Sequence, residues 1–435
     1  MIPAARLAAA IELGGLADSS STPPDSCYRD YFRRRRYAGS GDRRAIIARI
    51  IDVTRCRSRL DWWIEASDVK TTWRTRVLAH IILVDGISAP EILRLFDAPP
   101  YGPKNLTPNE ISLAERMSGQ HLNVTEMPPS IRHECPSWLY SRLKALWGGR
   151  TDVELEALNV TAPVDLRVNI DRTKRETIQT DLAERGLVAT PTPYSPWGLR
   201  LAPSSHVATT PVISEGLAEI QDEGSQIISL ICGATQGMTV VDVCAGAGGK
   251  TLALGALMAC NGNINGRLIA ADAELRRLSP LPGRLRRAGL HGVSIRSEGA
   301  DRLDDLIGEA DRVLVDAPCS GSGTWRRRPD LRWSIQPNDI TALTTTQDHI
   351  LKAAALLVRP AGRLIYATCS LDPVENEERI DRFLATHDTF SLMPIPAAWN
   401  GLDAASPLNC SPYLRLSPAT TGTDGFFGAV MERHI

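Results

Sequence analysis

Met238-Thr-Val-Val-Asp-Val-Cys-Ala-Gly-Ala-Gly-Gly-Lys250 is the stretch on which the fold turns. Met238 to Val243 is a short apolar run of strand length, and its valines suit a pleated, buried strand. The glycine-rich turn beyond it opens a helix that runs through Leu257. A strand, a turn of small residues and a helix, in that order, begin a repeating strand–helix alternation.

The alternation continues downstream. Arg267 to Ala271 is predicted as the second strand, ending in Asp272, with a helix from about Glu274 to Ala288. Val293 to Arg296 is the third strand, with Asp301 shortly after it. Val313 to Val315 is the core of the fourth, which ends in Asp316. A long helix follows, with Asn338 as its expected N-cap and Pro360 as its stop. Arg363 to Ala367 is the fifth strand and leads into Thr368-Cys-Ser370. Strands joined by crossover helices make a mostly parallel, doubly wound α/β sheet.

Ligands bind such a sheet at the carboxyl ends of its strands. Cys244 to Lys250, Asp272, Asp301, Asp316 with Cys319, and Cys369 all follow predicted strand ends. The small residues of the first loop let backbone approach a ligand, and the helix beyond offers free N–H groups to a carboxylate or phosphate. Gly249-Lys250-Thr251 resembles the end of a phosphate-binding P-loop, but that motif needs a glycine where Cys244 stands, which argues against an NTPase. Asp272 suits the hydroxyl groups of a ribose, although capping of the next helix explains it equally well and a nicotinamide dinucleotide would use the same arrangement.

The loop after the fourth strand argues against a dehydrogenase. It reads Asp316-Ala-Pro-Cys-Ser-Gly-Ser-Gly-Thr-Trp-Arg-Arg-Arg-Pro-Asp330. Pro318, Gly321 and Gly323 force a tight, irregular path. Asp316 suits the amide-like edge of a base, and Arg326, Arg327 and Arg328 are expected on phosphates. A second thiol, Cys369, follows the fifth strand in Ala-Thr-Cys-Ser-Leu-Asp-Pro. A lone cysteine is usually a small buried apolar residue. Two of them on the ligand-binding edge, in loops of glycine and proline, point to chemistry.

The whole chain frames this catalytic half. Its 435 residues exceed what one compact core holds. The pattern divides them into a helical region over residues 1–150, a small α+β module with linker over 151–235, and the catalytic domain over 236–435. In the first region Arg43 to Thr54, Thr71 to Val84 and Ser137 to Leu146 carry apolar residues at helical spacing, without a catalytic constellation. In the second, Val164 to Ile170 alternates like a half-buried strand, a helix runs from about Thr173 to Glu184, and the module ends near Ser214. Net charge is −1, yet Arg33 to Arg36, with Arg43 and Arg44, form one basic cluster and Arg326 to Arg328 another. That distribution suits a protein that binds a polyanion on one face. The nine cysteines include no Cys-x-x-Cys pair and no zinc spacing, so neither a metal site nor a disulfide framework is expected. Met1 to Leu16 lacks the pattern of a secretory signal and no run is long enough to span a bilayer, so the expectation is a cytoplasmic protein without a membrane partner.

Asp242-Val-Cys-Ala-Gly-Ala-Gly-Gly-Lys-Thr251, Asp316-Ala-Pro-Cys-Ser-Gly-Ser-Gly-Thr324 and Tyr366-Ala-Thr-Cys-Ser370 closely resemble the Sun-type (RsmB-like) RNA cytosine-5 methyltransferases. So do Glu375-Asn-Glu377, the tail Thr423-Asp-Gly-Phe-Phe427 and the upstream Gln221-Asp-Glu-Gly-Ser-Gln226. The resemblance covers roughly residues 160 to 435. Ala247 departs from it, since many members carry proline there, but the loop stays small. The N-terminal helices look like the RNA-binding extension of the ribosomal-RNA branch, related to the NusB fold.

The resemblance implies a Rossmann-like methyltransferase fold, S-adenosylmethionine as cofactor, small-subunit ribosomal RNA as partner and a monomeric state. It implies Cys369 as the nucleophile that adds to carbon 6 of cytosine, which makes carbon 5 able to attack a methyl group. A free thiol is only about a few per cent thiolate at pH 7, so such a nucleophile calls for nearby positive charge or N–H groups. Asp316 would hold the base and Cys319 would act in product release. Cys244, Ala245, Gly246, Ala247, Gly248, Gly249 and Lys250 would form the methyl-donor loop, with Asp272 on the ribose, Asp301 on the adenine amino edge and Asp316 bordering the donor as well. No metal is required, and the target base must be unstacked. Three alternatives stay open: the same chemistry on transfer RNA, a silent RNA-binding assembly factor, and DNA cytosine methylation through Pro318-Cys319.

Overall fold

Helix starts in the N-terminal region are set by proline and by small hydroxyl residues. Pro3, Pro24 and Pro108 open the helices Pro3–Asp18, Pro24–Arg34 and Pro108–Met117, where a missing N–H costs nothing. Thr72 caps Trp73–Leu83 by accepting the N–H of Thr75. That helix is the hub, since its Val77, Leu78 and Ile81 are buried in one cluster with Leu7, Leu13, Ile46, Ile50, Leu60 and Ile64. Trp73 donates its ring N–H to the Ala10 carbonyl at 3.1 Å. This is the computed structural model of the chain, and it describes every residue except Ser21, Ser204 and 400–410. Contacts divide it into two compact units, Met1–Ser141 and Arg142–Ile435. Among the described residues no helix is long and apolar enough to cross a membrane.

The second unit holds two sheets. β1 (Val164–Val168), β2 (Ala189–Pro191), β3 (Gly198–Leu201) and β4 (Ala218–Ile220) form an antiparallel sheet in the order β2-β3-β1-β4. Leu166, Val168, Leu199 and Leu201 pack there with Ile178 and Leu182 of the helix Arg175–Glu184. β4 lies beyond Ser214, where the sequence pattern ends this module.

The larger sheet contains β5 (Thr239–Asp242), β6 (Ala259–Cys260), β7 (Asn263–Ala271), β8 (His291–Arg296), β9 (Ala310–Asp316), β10 (Val358–Thr368), β11 (Phe390–Met393), β12 (Leu414–Leu416) and β13 (Phe426–Arg433). Its main path runs β11-β13-β10-β9-β5-β7-β6, with β8 also on β7 and β12 on β13. β5, β7, β8, β9 and β10 pair in parallel, whereas β13 runs antiparallel to β10. The chain moves from β5 outward through β7, then returns to the other side of β5 for β9 and β10. That reversal leaves a crevice at the carboxyl ends of β5 and β9. Val240, Val241, Val313, Leu314, Leu364 and Ile365 are buried, which matches the predicted Rossmann-like α/β class.

Local features differ from expectation. The single helix expected over 274–288 is two, Leu275–Leu278 and Leu281–Ala288, because Pro280 and Pro282 interrupt the hydrogen-bond ladder. The long helix is Pro337–Leu357, with Gln336 rather than Asn338 as N-cap, since Pro337 takes the first helical position. Pro360 does not stop a helix but lies in β10, where the pairing with β9 shifts register between Val358 and Arg363.

Candidate active site

The loops after β9 and β10 bring two sulfurs together. Cys319 Sγ and Cys369 Sγ are 3.4 Å apart, and both residues are partly exposed. The hydrogen bond to Cys369, then burial, pushes the Cys319 thiol well above its ordinary value.

Buried donors fix the two loops. Glu375 accepts the Ser320 N–H at 2.9 Å and a Gln347 side-chain N–H at 3.1 Å through one oxygen. Its other oxygen accepts the hydroxyls of Ser320 and Ser370, which sit one residue beyond the two cysteines. Burial raises the Glu375 carboxyl, against the pull of those donors. Thr368 donates to Asn376 at 2.6 Å, and Asn376 donates to the Ser370 carbonyl at 2.9 Å. Gly323 donates its N–H to the Cys369 carbonyl at 2.9 Å. A Cβ at Gly323 would stand 2.1 Å from the Gly425 carbonyl oxygen, so only glycine allows that approach.

Lys250, in the first turn of the helix Gly249–Met258, faces this region. Its Nζ is 2.6 Å from Asp316 Oδ2 and 5.6 Å from the centre of the Phe426 ring. Burial works against the ammonium, but the adjacent Asp316 carboxylate, with Cys369 and Asp242 as further contributors, holds the lysine above its ordinary value.

The loop Cys244–Gly249 passes beside Asp272, whose Oδ2 accepts the Gly246 N–H at 3.0 Å while Oδ1 accepts that of Glu274 at 2.9 Å. Asp272 thus holds the loop and also caps the next turn; Arg277 stands 3.5 Å from Oδ2, and Oδ1 keeps a free lone pair. Gly248 has φ of 84°, and a Cβ on it would lie 2.2 Å from Leu281 Cδ1. Ala245 and Ala247 add only methyl groups. Cys244 is buried, and burial, then Asp242, pushes its thiol well up, so it is a neutral wall of the loop. Asp242 donates nothing but accepts the Thr251 hydroxyl at 2.7 Å, and burial raises it to about 7. Asp301 is not drawn into these contacts. It lies after β8, 49% exposed, with His349 at 3.7 Å.

The expected phosphate-binding run is overturned at Arg326 and Arg327. Arg326 is buried and Arg327 largely so, and both reach Asp222 and Asp424. Arg327 lies 2.9 Å from Asp222 and 2.6 Å from Asp424, and Arg328 lies 2.8 Å from Asp330. The charges of Arg326 and Arg327 are spent on buried acids, whereas Arg328 is 41% exposed.

Sequence reasoning also missed residues that build the site. Glu375 was visible in a motif, but no spacing linked it to Ser320. Arg167 on β1 donates to the Gly249 carbonyl at 2.6 Å, which ties the smaller sheet to the donor loop. An arginine together with an aspartate in a short strand, Val-Asp-Leu-Arg-Val, is the local signal that could have found it. Among the described residues no cluster of His, Cys, Asp and Glu is suited to a metal ion.

Strand order and loop chemistry together describe a Rossmann-like methyltransferase. Residues 230–432 match the family described as 16S rRNA methyltransferase RsmB/F, and residues 135–208 match an RsmF/B-like ferredoxin-like domain. A probable ribosomal RNA small subunit methyltransferase B of Synechocystis sp. is 33% identical over 327 residues, 74% of this chain and 71% of the relative. Ribosomal RNA small subunit methyltransferase B of Pseudomonas putida is 34% identical over 312 residues, 72% of this chain and 70% of the relative. The crystal structure of PH0851 has a TM-score of 0.78 at 26% identity, covering 100% of this chain and 99% of the other. The chain belongs to the RsmB/F family of S-adenosylmethionine-dependent RNA methyltransferases.

The donor loop fits that cofactor. Its side chains beyond the backbone are one thiol and two methyls before Lys250, leaving room for an amino-acid head against the helix start. Asp272 has acceptor capacity left for hydroxyl groups.

Proposed function

We propose that this protein methylates carbon 5 of a cytosine in RNA, specifically small-subunit ribosomal RNA, through a covalent adduct with Cys369. The 3.4 Å approach of Cys319 and Cys369, at the same sheet edge as the Lys250–Asp316 pair, is the observation that carries this reading. The names of the relatives support the ribosomal substrate. Exposed Arg33, Arg34 and Arg36 support an RNA-binding role for the N-terminal unit.

Asp316 accepts hydrogen bonds from the amino edge of the cytosine and orients its ring. Lys250 supplies the positive charge that a sulfur anion at Cys369 needs. The thiolate adds to carbon 6, and the electrons of the carbon 5–carbon 6 double bond make carbon 5 nucleophilic. S-adenosylmethionine, which Cys244–Lys250 and Asp272 would hold with Asp301 toward the adenine, would supply the methyl group that carbon 5 takes, the carbon–sulfur bond breaking to leave the neutral thioether. The proton on carbon 5 then leaves, its electron pair restores the double bond, and the Cys369 sulfur is expelled. Cys319 acts in this last stage, as the base or by assisting it.

Bisulfite sequencing of RNA from cells with and without the gene tests the product and its site. Purified Cys369→Ala is expected to lose turnover and keep S-adenosylmethionine binding, whereas Cys319→Ala is expected to accumulate a protein–RNA adduct on denaturing gels. Normal turnover by Cys369→Ala would remove the nucleophile from the scheme.

A further inference from the structure

The second unit also encloses a cavity of about 330 Å³ that the chemistry above does not use. It borders Ser370 and Leu371, the two residues after Cys369, and Trp147, Phe426 and Phe427 contribute aromatic walls. Glu154 and Glu377 face it from opposite parts of the chain.

The two carboxylates share one arrangement. Glu154 is buried, and one oxygen holds Arg150 while Oε2 is buried without a hydrogen-bond partner. Glu377 holds Arg415 at 2.5 Å through Oε1, and its Oε2 is likewise buried and unpartnered. A buried acceptor with no donor is costly, so two on one cavity call for a ligand that brings N–H groups. The two arginines already balance the two carboxylates, which favours a neutral donor over a cation. Arg150 and Arg415 are 63% and 45% exposed, positioned at the surface where a phosphate can reach them.

A flat neutral ring with adjacent donors and a phosphate outside is a nucleotide, and the donor pattern selects the base. Guanine presents N1–H and its 2-amino group side by side, two donors for the two free oxygens, one on Glu154 and one on Glu377. Adenine and cytosine pair one amino group with an acceptor, and uracil flanks one N–H with two acceptors. We propose that this cavity binds the guanine of an RNA residue near the target base. The inference builds on the RNA reading above but not on its cysteine chemistry.

The test uses the full-length protein and guanosine 5′-monophosphate, with adenosine and inosine monophosphates as comparisons, followed by saturation-transfer NMR. Guanosine monophosphate is expected to bind saturably and about tenfold more tightly than adenosine monophosphate, with inosine, which lacks the 2-amino group, between them. Glu154→Gln and Glu377→Gln should each remove that preference while S-adenosylmethionine binding and the melting temperature stay unchanged. Guanosine monophosphate should also displace a fluorescent guanine-containing oligoribonucleotide. Equal response to all three nucleotides, no saturable response, or an unaltered preference in both variants overturns the site. Binding without displacement of the oligoribonucleotide overturns RNA as the source. Guanine preference in a protein that yields no 5-methylcytosine would instead retire the methylation chemistry and leave this site standing.

Discussion

Arg33 to Arg36 and Arg326 to Arg328 look alike as sequence and behave in opposite ways in the structure. In the first run Arg33, Arg34 and Arg36 are exposed, and Arg33 pairs with the likewise exposed Asp30 at 3.2 Å. In the second, Arg326 and Arg327 are drawn inward by Asp222 and Asp424, and Asp424 also donates its backbone N–H to Asp222 at 3.1 Å. The first run is a charge offered to solvent. The second is a rivet that joins the Cys319 loop to the segment before β13. A cluster of like charges therefore says little until its counter-charges are known.

Removing the acid partner from each run breaks or sharpens this contrast. Asp424→Ala leaves two guanidiniums short of a buried partner and is expected to cost about 3–5 kcal/mol in urea unfolding. A cost near that of a surface pair would mean the rivet is not one. Acid provides the next largest effect, confined to the unit that carries the exposed run. Burial, then Arg49, lowers His80 to about 4. A histidine depressed in the folded state gives stability that is full above its unfolded value near 6.5 and is lost as pH falls toward 4. The N-terminal unit should weaken by about 3 kcal/mol across that window, and His80→Gln should flatten the profile. Above the window, the triple replacement of Arg33, Arg34 and Arg36 by glutamine should leave melting unchanged. RNA binding should weaken, and the slope of log affinity against log salt should fall by about 2. An unchanged slope would mean the exposed run touches no phosphate. Asp30→Ala should be the smallest change, below about 0.5 kcal/mol.

The parallel sheet was legible because each strand is an apolar run closed by a polar residue at its carboxyl end, as in Val240 to Asp242 and Val313 to Asp316. That register put Lys250, Asp316, Cys319 and Cys369 on one edge. What was hidden depends on partners far away in sequence. Asp222 and Asp424 lie on either side of the arginines they neutralise, and nothing local to Arg326 announces them. Glu375 is adjacent to Asn376 in a readable motif, yet its bond to Ser320 exists only once β9 and β10 are neighbours. β13 was missed because an antiparallel strand inserted beside β10 breaks the strand–helix rhythm that revealed the others.

That inserted strand sets a schedule for synthesis. β10 lies between β9 and β13, and Asp424 stands just before β13. A ribosome must therefore deliver residues through Arg433 before β10 gains its second neighbour, and through Asp424 before Arg326 is neutralised. Until then the nascent chain carries an open sheet edge beside its cysteine loops. The pocket for chemistry is thus completed late, by a segment that contributes no reacting atom.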